Sequence, residues 1–168
     1  HLRTRRQRQM CIRDRSRIVT FAATQLALSW DLEANLDKAE HAVREAHAAG
    51  AQVVLLQELF ATPYFCKTQQ YRYLELAAPL QNHPLVQRFA RLAAELQVVL
   101  PLSYYERDTN TFFNSLVMID ADGTVMDNYR KTHIPDGPGY CEKFYFTPGD
   151  TGFKVWKTRY GIFGAGIC

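Results

Sequence analysis

Val53-Val54-Leu55-Leu56-Gln57-Glu58 is an apolar run that stops abruptly on two polar side chains, and its surroundings decide the fold. Four consecutive apolar residues suit a strand covered on both faces. Just upstream, Gly50 stands where helices commonly end, because glycine adopts the left-handed conformation without a Cβ penalty. The helix it closes is predicted over 31–49. Leu32, Leu36, Ala39, Ala42 or Val43, and Ala46 share one face, while Glu33, Asp37, Lys38, Glu40, Arg44 and Glu45 fill the other. Before it, Ile18 to Ala27 carries the apolar residues Ile18, Val19, Phe21, Ala22 and Ala23, which predict a central strand. Strand, helix, strand is the unit from which α/β folds are built.

Downstream, residues 59–81 read as irregular and aromatic-rich. Pro84 permits a helix start, and Leu85, Phe89, Leu92, Ala93 and Leu96 give Leu85 to Gln97 helical spacing. Val98 to Tyr105 and Phe112 to Ile119 read as strands. The turn Asp120-Ala121-Asp122-Gly123 leads into a third over Thr124 to Tyr129, so this section is a meander. The loop from Thr132 to Thr151 is punctuated by Pro135, Gly137, Pro138, Gly139, Pro148 and Gly149, and long ordered loops of this kind carry function. Phe153 to Trp156, a turn at 158–161 and a final strand over Ile162 to Cys168 complete the chain.

The chain has 168 residues, 47% of them hydrophobic, enough for one α/β domain with its own core. Its formal charge of +3 is misleading. Residues 1–17 hold seven Arg against one Asp, a net +6, so residues 18–168 carry −3. That basic stretch lacks aromatic interleaving and zinc-ligand spacing, and nucleic-acid binding is not expected. Met10-Cys11-Ile12-Arg13-Asp14-Arg15 reads like a translated sequencing adaptor, so residues 1–17 are taken as a non-native tail, set apart from the domain at 18–168. With no apolar run approaching the roughly 20 residues of a membrane span, and no disulfide or metal spacing among Cys11, Cys66, Cys141 and Cys168, a soluble cytoplasmic protein is expected. Because an apolar strand seldom ends a domain uncovered, the stop at Cys168 reads as a break in a longer sequence.

Three polar residues fall at predicted strand ends: Glu58, Lys131 and Cys168. Strand ends are where α/β sheets place reactive groups. Their chemistries complement one another. An ammonium favours a neighbouring thiolate and can stabilise an oxyanion, and a carboxylate can carry the proton.

Leu55-Leu56-Gln57-Glu58-Leu59-Phe60, Tyr129-Arg130-Lys131-Thr132-His133-Ile134-Pro135 and Gly164-Ala165-Gly166-Ile167-Cys168 resemble, in order, the glutamate, lysine and cysteine blocks of the nitrilase superfamily of carbon–nitrogen hydrolases. Phe113-Asn114-Ser115, the segment Ile119 to Gly123, and Pro148-Gly149-Asp150 agree with it as well, so the resemblance covers essentially all of 18–168. The resemblance implies an α-β-β-α sandwich, of which this chain would be the N-terminal part, usually assembled as a homo-oligomer and using no metal and no cofactor. It also implies that Glu58 is the general base, Lys131 the oxyanion-stabilising cation, Cys168 the nucleophile and Glu142 a second acidic residue that orients the site. Within the superfamily, Thr62 to Cys66 and His133 to Phe146 most resemble the branch that hydrolyses N-carbamoylputrescine to putrescine, ammonia and carbon dioxide. A different substrate, an N-carbamoyl amino acid or an omega-amide, stays open, as does a non-catalytic α/β binding module.

Outside these blocks the readings are plainer. Cys66 is taken as a packing residue, Cys141 as a loop thiol and His133 as structural. Tyr64, with Phe144, Tyr145 and Phe146, either lines a substrate pocket or buries its own loop.

Overall fold

The computed structural model describes residues 18–168; the stretch 1–17, read above as a non-native tail, lies outside them. Asp31 caps helix α1 (Leu32–Ala48) by accepting from the Ala34 N–H, and Gly50 follows it with φ +94°. The crossover joins β1 (Phe21–Ala23) to β2 (Val53–Leu55), which pair in parallel. Helix α2 (Pro84–Leu96) starts on its proline and ends at Gln97, held at φ 55°. The meander follows as β3 (Leu100–Asp108), β4 (Thr111–Ile119) and β5 (Val125–Arg130), antiparallel throughout. A single parallel bridge between Val53 and Val99, with the Val54 N–H bonded to the Val99 carbonyl, joins the two-stranded sheet β1-β2 to the three-stranded sheet β3-β4-β5, so the five strands continue one another in the order β1-β2-β3-β4-β5.

Because side chains alternate along a strand, this sheet has two distinct faces. Val54, Leu100, Leu102, Tyr104, Val117 and Ile119 pack against α1 and α2. The two helices are also tied by Arg88, which pairs with Asp37 and Glu40. Val53, Val99, Leu116, Met118 and Tyr129 look the other way and receive Trp156. Trp156 belongs to a hairpin of β6 (Val155–Lys157) and β7 (Ile162–Gly164), and its indole N–H is held by Asp127. The alternation thus lays out helices, sheet and the beginning of a further layer.

Two strands are shorter than their apolar runs suggest. The first spans Phe21–Ala23 rather than Ile18 to Ala27, and it is the edge of the described sheet, not a central strand. After Thr24 bonds to Leu55, the side chain of Gln57 takes both the N–H and the carbonyl of Leu26, so an amide replaces the ladder and the strand ends. The last strand spans Ile162–Gly164 rather than Ile162 to Cys168. Its partner β6 begins only at Val155, opposite Gly164, and among the described residues no strand pairs with 165–168. Cys168 therefore lies four residues past a strand instead of at its tip.

Candidate active site

Lys131 follows the last residue of β5, and its backbone is bonded on both sides. Its N–H reaches the Asn114 carbonyl at 2.8 Å, and its carbonyl accepts from Gly149 at 2.8 Å. Gly149 is required there, since a Cβ at that position would lie 2.1 Å from the Arg130 carbonyl oxygen. Alternation sends the two basic neighbours to opposite faces. Arg130 turns to the helix side, where its guanidinium grips buried Glu106 at 2.7 Å and also reaches Asp108 and Asp150. Lys131 turns to the other face, where its side chain is 2% exposed.

There the Lys131 ammonium sits between two carboxylates, 2.7 Å from Glu142 Oε2 and 3.1 Å from Glu58 Oε1. Glu142 opens a 3-10 turn (Glu142–Phe144) in the long loop and is itself buried. Its other oxygen accepts a 2.7 Å hydrogen bond from the Tyr64 hydroxyl. Burial opposes the charge on Lys131, but the hydrogen bond to Glu142 and the attraction of Glu58 outweigh it, so its pKa is raised. Burial and then the bond to Glu142 push the Tyr64 hydroxyl up as well, which keeps it a donor.

Glu58 lies in the turn beyond β2, half-exposed, and is fixed by more than Lys131. Buried Asn114 donates its Nδ2 to Glu58 Oε1 at 2.6 Å. The next residue, Leu59, has φ 52°, costly for a branched side chain, and its N–H is held at 2.9 Å by the Ser103 hydroxyl. Glu58 and the exposed thiol of Cys168 line one cavity of about 140 Å³, together with Ser103, Pro101, Leu116 and Gly166. The chain thus gathers a thiol and a carboxylate at one hollow, with a buried ammonium hydrogen-bonded to that carboxylate.

Glu58, Lys131, Glu142 and Tyr64 accordingly form one hydrogen-bonded chain, and Cys168 lines the cavity that Glu58 borders. Asn114 and Ser103 are the site residues that the sequence reading passed over. Their one signal is polarity inside otherwise apolar strands, each where its neighbours on the same face are apolar or small. The remaining residues take their plainer roles. Phe144 packs against the cluster in which Tyr145, Phe146 and Cys66 are buried with Phe65 and Tyr105, and burial pushes the Cys66 thiol up. Cys141 is half-buried and His133 exposed. Among the described residues no group of three or more His, Cys, Asp or Glu could hold a metal ion. No described helix is long and apolar enough to cross a membrane.

The carbon-nitrogen hydrolase family model matches residues 20–168. This chain belongs to the carbon–nitrogen hydrolase family. Among relatives of this chain, an N-carbamoylputrescine amidase of Oryza sativa subsp. japonica is 53% identical over 151 residues, covering 89% of this chain and 50% of the relative. A citrullinase of Francisella tularensis subsp. tularensis is 46% identical over 89% of this chain and 52% of its own length. The crystal structure of a carbon-nitrogen hydrolase from Helicobacter pylori G27 matches with a TM-score of 0.77 at 34% identity, over 83% of this chain and 48% of that one. The chain therefore spans about half the length of these relatives.

Proposed function

We propose that the complete protein hydrolyses the C–N bond of an N-carbamoyl amine, N-carbamoylputrescine, through a covalent enzyme intermediate on Cys168. The observation that carries this reading is the Lys131 ammonium, clamped by Glu142 and touching Glu58 where Glu58 shares a cavity with the Cys168 thiol. The similarity to N-carbamoylputrescine amidases at 53% and 51% identity supports the substrate.

In this reading Glu58 accepts the thiol proton and the thiolate attacks the ureido carbonyl carbon. The carbonyl oxygen becomes an oxyanion, which the Lys131 ammonium stabilises. Glu58 then returns the proton to the leaving nitrogen, the C–N bond breaks, ammonia departs and a carbamoyl thioester remains. Water, activated by Glu58, attacks that thioester, the C–S bond breaks and the proton goes back to sulfur. The released carbamate breaks down to amine and carbon dioxide. Glu142 acts by holding Lys131 in place, and Tyr64 by holding Glu142 at the substrate side. We take the complete protein to be a homo-oligomer, as the family resemblance implies, and to work in the cytoplasm, as the sequence reading expects.

Ammonia release from the complete protein tests the substrate. N-carbamoylputrescine should be turned over with the highest kcat/KM. A higher value for citrulline would favour the second reading, which the 46% identity to a citrullinase supports. A higher value for N-carbamoyl-β-alanine would point to an N-carbamoyl amino acid. Iodoacetamide near neutral pH separates an enzyme from a binding module: Cys168 should be alkylated faster than Cys66 and Cys141. Equal rates and no ammonia would mean a binding module.

A further inference from the structure

A second opening among the described residues lies apart from the catalytic one. A cavity of about 290 Å³ lies between α1, the start of α2 and β3, walled by Leu36, Phe65, Leu76 and Leu85. Protein interiors are otherwise packed with few voids larger than a water molecule, and small-molecule sites begin at about 300 Å³. The cavity is separated from the catalytic hollow by the turn at 58–59. Glu58 lines one, Leu59 lines the other, and Ser103 lines both.

His83 carries the polar chemistry of this cavity. It is 8% exposed, and among the described residues neither ring nitrogen makes a hydrogen bond of good geometry; the backbone of Tyr105 is in weak hydrogen-bonding reach and raises its proton affinity slightly against the effect of burial. Its ring stands edge-on to Tyr104 at 5.3 Å. Burial holds the imidazole toward its neutral form, with one donor and one acceptor. An unpaired buried polar group costs about 1–3 kcal/mol, which a ligand atom bonded to it would offset. At the outer edge the cavity is lined by two exposed carboxylates. Glu33 is shared with Arg88 at 3.3 Å, whereas Glu75 has no cationic partner among the described residues. Glu75 and Leu76 also border an adjoining hollow with Trp30, Arg72 and Tyr73, where the Tyr73 ring stacks on Trp30 at 4.9 Å and carries the Arg72 guanidinium at 4.9 Å.

We propose that this cavity is a second binding site, for a small amphiphilic amine whose apolar body lies against Leu36, Phe65 and Leu85. A hydrogen-bonding atom at its inner end meets His83, and its ammonium sits at the mouth beside Glu75. The proposal does not rest on the reading of Cys168, and either can fail without the other.

Tyramine is a suitable probe, because its hydroxyl, ring and ammonium match the three parts of the site. Calorimetric titration into the complete protein should give saturable one-to-one binding, with phenethylamine and 4-methylphenol, each lacking one polar end, several-fold weaker. Glu75→Gln, at an exposed position, should weaken tyramine about fivefold, and His83→Leu about tenfold, the ratio expected for a lost hydrogen bond of roughly 1.4 kcal/mol. Ala78→Phe, which fills the cavity from its wall, should abolish binding while the circular dichroism stays native. The proposal is overturned by absence of saturable binding, by binding unchanged in both Glu75→Gln and Ala78→Phe, or by displacement of tyramine by N-carbamoylputrescine, which would put the amine in the catalytic cavity.

Discussion

Replacing Asn114 by alanine should separate activity from stability. Its Nδ2 donates to Glu58 Oε1 at 2.6 Å, while its Oδ1 is buried with no hydrogen-bond partner among the described residues. A hydrogen bond to a charged group contributes about 1.5–3 kcal/mol, and an unsatisfied buried acceptor costs about 1–3 kcal/mol. Alanine removes both, so the two effects on stability oppose one another and the change should stay within about 1 kcal/mol. For a chain of this size that is a Tm shift of about 2–4 °C, and less in the longer complete protein, whose unfolding entropy is larger. Catalysis has no such compensation, because Glu58 then keeps only Lys131, at 3.1 Å, to aim it. If about 2 kcal/mol of positioning is lost in the transition state, ammonia release slows by about thirtyfold. The loss should appear in kcat with KM little changed, since Asn114 is buried and bonds to Glu58. Asn114→Asp should be worse on both counts, as it sets a second carboxylate against Glu58 at hydrogen-bond distance. Steady-state ammonia assays with thermal denaturation of the complete protein measure all of this. An Asn114→Ala enzyme within twofold of the parent in kcat, or one that loses more than about 10 °C in Tm, refutes the positioning role.

Other perturbations give further tests. Arg130→Lys should cost about 3 kcal/mol or more in chemical denaturation, because an ammonium cannot reproduce the fork that holds buried Glu106 through both Nε and Nη2; a cost under 1 kcal/mol would contradict this. Gly149→Ala drives a Cβ into the Arg130 carbonyl and should lower both Tm and activity by displacing the backbone that seats Lys131. Alkaline pH should destabilise the fold. Cys66, Tyr64 and Lys131 all have folded pKa values above their unfolded ones, so the unfolded chain gives up protons first as pH rises and stability falls. The decline should begin near the unfolded thiol value, about 8.5, and steepen past about 10. Cys66→Ala should delay its onset in a denaturant midpoint measured against pH, and an unchanged onset would assign it elsewhere.

The helices and the meander were legible because each carries a local signal of its own: the apolar stripe of α1, Pro84 opening α2, and the Asp120–Gly123 turn between β4 and β5. The limits of β1 and β7 were not. One depends on an amide from Gln57 replacing backbone bonds, the other on how far a partner strand reaches, and local apolarity reports neither. Glu58, Lys131 and Glu142 were legible through their motifs, and their assembly around one ammonium follows from a loop that brings residue 142 back beside residue 131. Asn114 and Ser103 look like ordinary strand polar residues. What gives them a part in the site is the turn after β2 coming to rest on β3 and β4, a tertiary contact that no local pattern encodes.

The central claim is that Cys168 carries the carbamoyl group. Rapid acid quench of the complete protein turning over N-carbamoylputrescine, followed by peptide mass mapping, tests it most directly. The account predicts a carbamoyl adduct on the peptide containing Cys168, accumulating further when Glu58→Gln slows its hydrolysis and absent in Cys168→Ala. Turnover that persists in Cys168→Ala, or an adduct found instead on Cys66 or Cys141, would contradict it.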